Sequence, residues 1–172
     1  MSLVPDLTSL LPYAHPSVAG VRPLTGVLAP RAYWSPAELR RVTRQFTRHA
    51  AAELHRTARF DPDRRWYTRL AVTEQVEMWL LTWTPGQGTG PHHHSGSSGG
   101  YTVLYGELTE TWRDGAARSR QARRRAGAGS GFGPDRVHTM ANLSQIPAIS
   151  VHAYSPPLLP MGTGVSLPDP PG

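Results

Sequence analysis

The chain has 172 residues, no cysteine, a formal charge of +6 and 38% hydrophobic residues, with 17 Gly and 17 Pro. Those figures describe one loop-rich domain with a sizeable core, more easily sheet than helix bundle. They exclude disulfides and thiolate metal ligands, and no run approaches the roughly 18 apolar residues of a membrane span.

Residues 1–34 are Pro-rich and lack periodicity, so they read as an irregular arm with room for one short helix. The opening has no basic segment followed by a continuous apolar run, and a soluble cytoplasmic protein is the expectation. Ser35-Pro36-Ala37-Glu38 is a helix start: a capping hydroxyl, Pro at the first helical position, and Glu three after the cap. Leu39, Val42, Phe46, Ala50 and Leu54 recur at three and four, which predicts a helix over about 36–58 with one apolar face.

Phe60-Asp61-Pro62-Asp63 breaks that pattern, and two candidate strands follow, Arg65 to Val72 and Val76 to Thr84. The second is covered on both faces, as inside a sandwich. Pro85 to Gly90 turns the chain into three consecutive histidines, His92, His93 and His94, which run through Gly and Ser into Val103-Leu104-Tyr105, with Gly106 at a bend. On a strand His92 and His94 share a face, about 7 Å apart, and can converge on one ion, while His93 points away. A surface polar tract or a tag remnant is the duller reading, but the tract sits mid-chain and feeds a hydrophobic strand.

Ala117 to Ala126 carries five arginines and reads as an exposed strand or loop, and Gly127 to Pro134 as a turn cluster. The arginines are dispersed and have no aromatic interleaving, so nucleic acid is not expected as a partner. Arg136 to Leu143 contains His138 and Asn142. Ala148 to Tyr154 is a strand with Ile149, Val151 and Ala153 on one face and Ser150, His152 and Tyr154 in a row on the other. Pro156-Pro157 ends it, and the tail to Gly172 reads as loosely held. Several short strands after an N-terminal helix predict an all-β sandwich or small barrel with helical trimmings.

Taken singly, several of these residues have plainer roles. His138 can be a structural histidine, Arg69 half of an ion pair with Glu74 or Glu77, and His152 with Tyr154 a buried polar pair. Arg118 to Arg125 can be a solvated face.

Two spacings carry a resemblance. His92-x-His94, Gly99 in a slot usually held by Glu, and Gly106 resemble the first cupin motif; His138 and Asn142 resemble the H-x-x-x-N end of the second. With Tyr67-Thr68-Arg69 and the segment Ser150 to Pro157, residues 60–160 look like cysteine dioxygenase, a cupin jelly-roll enzyme. The resemblance implies a cupin domain over 35–160, flanked by the arm at 1–34 and a tail at 161–172. It implies that His92, His94 and His138 hold Fe(II), that Arg69 and Tyr67 bind the substrate carboxylate, and that Ser150, His152 and Tyr154 form a hydrogen-bonded row beside the iron. In the animal enzymes a cysteine at the Gly99 position is joined to the tyrosine; here Tyr154 would act as an unmodified phenol, as in bacterial members.

The residue chemistry agrees. Three neutral imidazoles suit Fe(II) or Zn(II) and leave up to three positions on an octahedral ion, enough for the thiolate and amine of L-cysteine and for O₂. Without an acidic ligand, a thiolate supplies the missing negative charge. The expectation is therefore conversion of L-cysteine and O₂ to cysteine sulfinate by a monomer that needs neither nucleic acid nor membrane. The alternatives are a sister dioxygenase acting on 3-mercaptopropionate, and a non-catalytic metal- or ligand-binding cupin.

Overall fold

A computed structural model describes residues 13–21, 33–113 and 118–158. The expected loose tail lies outside them, as does most of the N-terminal arm. Helix α1 spans Pro36–His49 and α2 spans Ala51–Thr57, separated by Ala50 at φ −110°, so the single helix expected from periodicity is two in tandem. The cap works as the sequence requires: Glu38 N–H donates to Ser35 Oγ at 3.3 Å, and Ser35 N–H donates back to Glu38 Oε2 at 2.9 Å.

In chain order the strands are β1 (Tyr13–Ala14), β2 (Tyr67–Val72), β3 (Glu77–Trp83), β4 (Ser98–Tyr105), β5 (Glu107–Arg113), β6 (Ser119–Arg125), β7 (Gly129–Phe132), β8 (His138–Ala141) and β9 (Ala148–Ser155). They form a six-stranded sheet in the order β1-β2-β3-β9-β4-β7 and a three-stranded sheet in the order β6-β5-β8. β1 is a fragment of the arm that pairs with Ala71 and Val72 at the sheet edge. β7 falls where the glycines predict only a turn. Its residues pair with Gly99 to Thr102, and the glycines there let backbones approach where side chains would not fit.

Two apolar layers result. Leu39, Val42, Phe46 and Leu54 pack on Leu70, Met78, Leu80, Ile149, Val151 and Ala153 between the helices and the outer face of the large sheet. Each of these side chains larger than alanine, buried from water, contributes about 1.5–3 kcal/mol. α1 lies almost on the sheet backbone: a Cβ on Gly100 would come within 2.6 Å of the Leu39 carbonyl carbon. The second layer, between the sheets, holds Tyr67, Trp79, Leu81, Trp83, Tyr101, Val103, Leu108, Phe132, Met140, Ala148 and Tyr154. β9 divides the two layers, and all eight of its residues are buried. Its alternation sends Ile149, Val151 and Ala153 to the helices and leaves Ser150, His152 and Tyr154 for the interior.

Candidate metal centre

The three histidines arrive from two directions. The His tract is not a strand: it is a loop before β4, and its one ladder contact is a mutual backbone pair in which His92 and His138 each donate N–H to the other's C=O at 3.0 Å. A turn with Ser95 at φ +47° and Gly96 at φ +93° then swings His94 inward, with Ser97 N–H donating to His94 C=O. The alternation expected for a strand survives in the loop: His92 and His94 face one point and His93 is exposed.

One ring nitrogen from each of His92, His94 and His138 lies within 4.8 Å of the others. His92 Nδ1 is 2.9 Å from the Gly90 carbonyl and His138 Nδ1 is 3.0 Å from Glu110 Oε1. Both partners only accept, so both Nδ1 atoms carry hydrogen and both Nε2 lone pairs are left for the centre. His94 Nε2 stands 3.1 Å from His138 Nε2. Burial, reinforced by the neighbouring imidazoles, pulls the His94 ring down to about 2 and also lowers His92. These are neutral nitrogen donors, the state a metal requires.

No acid joins them. Gly99 occupies the carboxylate slot, and a Cβ there would collide with the ring of Phe132. That ring stacks on His94 at 5.3 Å and 28° and lies 4.7 Å from His138, so it closes the side from which a fourth protein ligand would come.

Ser150, His152 and Tyr154 form the expected row. His152 Nε2 is 2.9 Å from Ser150 Oγ, and His152 Nδ1 is 3.3 Å from the Tyr154 hydroxyl. Trp83 Nε1–H donates to Ser150 Oγ at 2.9 Å. With His152 held neutral by burial, every donor finds an acceptor in one direction: Trp83 to Ser150, Ser150 to His152, and His152 Nδ1–H to the phenol oxygen. Tyr154 then keeps its own O–H for the cavity. Burial raises its pKa, so it stays protonated.

The cavity, about 380 Å³, is lined by Arg65, Trp83, His92, His94, His138, Tyr154 and their neighbours. Arg69 and Tyr67 do not line it. They share the inward face, opposite Trp79 and Leu81, but Arg69 is exposed, with its guanidinium 5.1 Å from the Trp79 ring centre. Tyr67 is buried edge-on against Trp79. The arginine brought to the histidines is Arg65, which stacks over Trp83 at 4.8 Å. Its Nε is buried without a hydrogen-bond partner, and it has no ion-pair partner among the described residues. Burial lowers its pKa.

Sequence reasoning missed two residues here. Arg65 stood two positions before the tyrosine of a familiar motif and carried no signal of its own. Glu110 did carry one: it alternates with Leu108 and Trp112 on β5, and an acid on an apolar face needs a buried partner. That partner is His138.

A family model described as cysteine dioxygenase type I matches residues 35–162. No curated protein matches the chain. Among solved structures, the TT1209 protein of Thermus thermophilus is 25% identical with a TM-score of 0.54, covering 60% of this chain and 93% of its own. A Klebsiella pneumoniae protein with a double-stranded β-helix domain is 21% identical with a TM-score of 0.53, over 60% of this chain and 86% of its own. An oxalate oxidase in complex with glycolate is 22% identical with a TM-score of 0.51, over 57% and 54%. These likenesses identify the fold as the cupin double-stranded β-helix.

Proposed function

The chain belongs to the cysteine dioxygenase type I family, and on that premise we propose that it is an iron-dependent thiol dioxygenase that converts L-cysteine and O₂ to cysteine sulfinate. The observation that carries this reading is the convergence of three imidazole nitrogens, with no acid among the clustered ligand atoms of the described residues, on a cavity that also holds an arginine without an ion-pair partner among those residues. Fe(II), when bound by His92, His94 and His138, supplies a centre at which thiol sulfur and dioxygen meet. The reaction RSH + O₂ → RSO₂H balances without a further reductant, since sulfur takes both oxygen atoms.

The chain's own groups then have distinct tasks. Arg65 receives the substrate carboxylate through its planar fork, held in place by Trp83. Tyr154 presents its O–H to the reacting atoms, oriented by His152, Ser150 and Trp83. Phe132, Leu81, Met140 and the Trp83 ring give the site an apolar wall.

A second reading, 3-mercaptopropionate as substrate, has its own support. Among the described residues no acidic side chain lines the cavity to receive an ammonium, and Arg69 does not line it. Oxygen uptake by iron-loaded protein, with product identified by mass spectrometry, tests both. Sulfinate from cysteine at the higher kcat/KM is the expected result; faster turnover of 3-mercaptopropionate selects the second reading, and no uptake with either thiol overturns the enzymatic one.

A further inference from the structure

We propose that Glu110 is the positioning residue of this centre and supplies, at one remove through His138, the negative charge that the coordination sphere lacks. The inference rests on the metal-centre reading above. Glu110 is fully buried at the middle of β5. On the paired strands Glu110 stands opposite Met140 and Trp112 stands opposite His138, so Glu110 and His138 are inward-facing diagonal neighbours. Its Oε1 accepts from His138 Nδ1 at 3.0 Å, and its Oε2 accepts from the Tyr101 hydroxyl at 2.8 Å.

A buried carboxylate persists only where its charge is matched. Here the match comes from the surface. Arg136 Nη1 lies 3.6 Å from Oε1 and Arg124 Nη2 lies 3.9 Å from Oε2, both arginines partly exposed. Arg136 is braced on the Trp112 ring at 4.9 Å. Part of the arginine-rich run therefore does more than face water.

Two consequences follow for a metal at His138. The carboxylate fixes the Nδ1–H tautomer and the ring plane, so the Nε2 lone pair is aimed before the ion arrives. It also makes the imidazole more electron-rich, which favours the higher oxidation state; the two arginines temper that push.

The test compares wild-type protein with Glu110→Gln and Arg136→Gln. It measures Co(II) and Fe(II) affinity by chelator competition, and the midpoint potential of the iron-loaded protein. Glu110→Gln is expected to weaken binding by about 10- to 100-fold and to move the potential positive, whereas Arg136→Gln moves it negative. A merely structural role predicts no such opposed pair. Glu110→Gln with affinity within twofold of wild type and an unchanged potential overturns the inference. If that variant does not fold, Arg136→Gln decides: a potential that stays put or moves positive overturns it. Wild-type protein that takes up neither metal defeats the metal-centre reading itself, a result distinct from either of these.

Discussion

Replacing Arg65 by Ala tests the assignment on which the structure and the family motif diverge. The guanidinium has no ion pair among the described residues, a long 3.5 Å contact from Nη1 to the Gly88 carbonyl, and one buried, unpartnered Nε, so a carboxylate arriving there would match a charge that has no counterion among those residues. Hydrogen bonds to charged groups contribute about 1.5–3 kcal/mol net, and a forked contact in a half-buried site belongs at the upper end. Losing about 2–3 kcal/mol corresponds to roughly a 30- to 150-fold fall in kcat/KM, expressed mainly as KM because the contact is made equally before and during reaction. Arg65→Lys keeps the charge and loses the fork, and belongs between the two. The assay is oxygen uptake against cysteine concentration, with cysteamine as a thiol that has no carboxylate. Arg65→Ala should leave cysteamine turnover near wild type, and Arg69→Ala should change neither. The assignment is refuted if Arg69→Ala, folded and metal-loaded, raises KM for cysteine more than Arg65→Ala does.

Tyr154→Phe removes the O–H at the end of the Trp83-Ser150-His152 chain and should lower kcat by about 100-fold or more with metal content unchanged, read by turnover and iron analysis on one preparation. Gly99→Ala puts a methyl into the Phe132 ring and should cost about 1–3 kcal/mol by urea unfolding; an unchanged midpoint would mean that the ring has somewhere else to go. In metal-free protein, His92, His94 and His152 all have folded pKa values below the unfolded 6.5. The unfolded chain therefore binds more protons, and stability falls as pH drops below 6.5. His94, near 2 when folded, contributes about 1.4 kcal/mol per pH unit to that loss. Denaturation midpoints at pH 7.5 and 5.5 measure it, and equal midpoints would contradict the burial of these rings.

Much of the site was legible because its residues sit on regular elements. Period-two alternation on β9 places Ser150, His152 and Tyr154 together without any knowledge of the fold, and the Ser35 cap fixes where α1 begins. His92 and His94 were legible for a less secure reason: a loop happened to preserve the facing that a strand would have imposed. What stayed hidden depends on packing between sheets. β7 looks like a turn because its glycines are there to admit neighbouring backbone, not to bend the chain. Arg69 has the right face but is exposed and does not line the cavity, and alternation along β2 does not encode which of its residues reach that far. Glu110 was marked by polarity alone, and only the pairing of β5 with β8 names its partner.

The origin of the three ligands has a thermodynamic corollary. His92 and His94 precede the large sheet's β4, while His138 opens β8 of the small one, so no short stretch of unfolded chain can gather them. An ion held there acts as a clasp between the two halves of the sandwich, and its whole binding energy is credited to the closed form. At a thousandfold excess over Kd that is about 4 kcal/mol, comparable to the entire stability of a modest domain. The supply of that ion would then govern how long the folded chain survives.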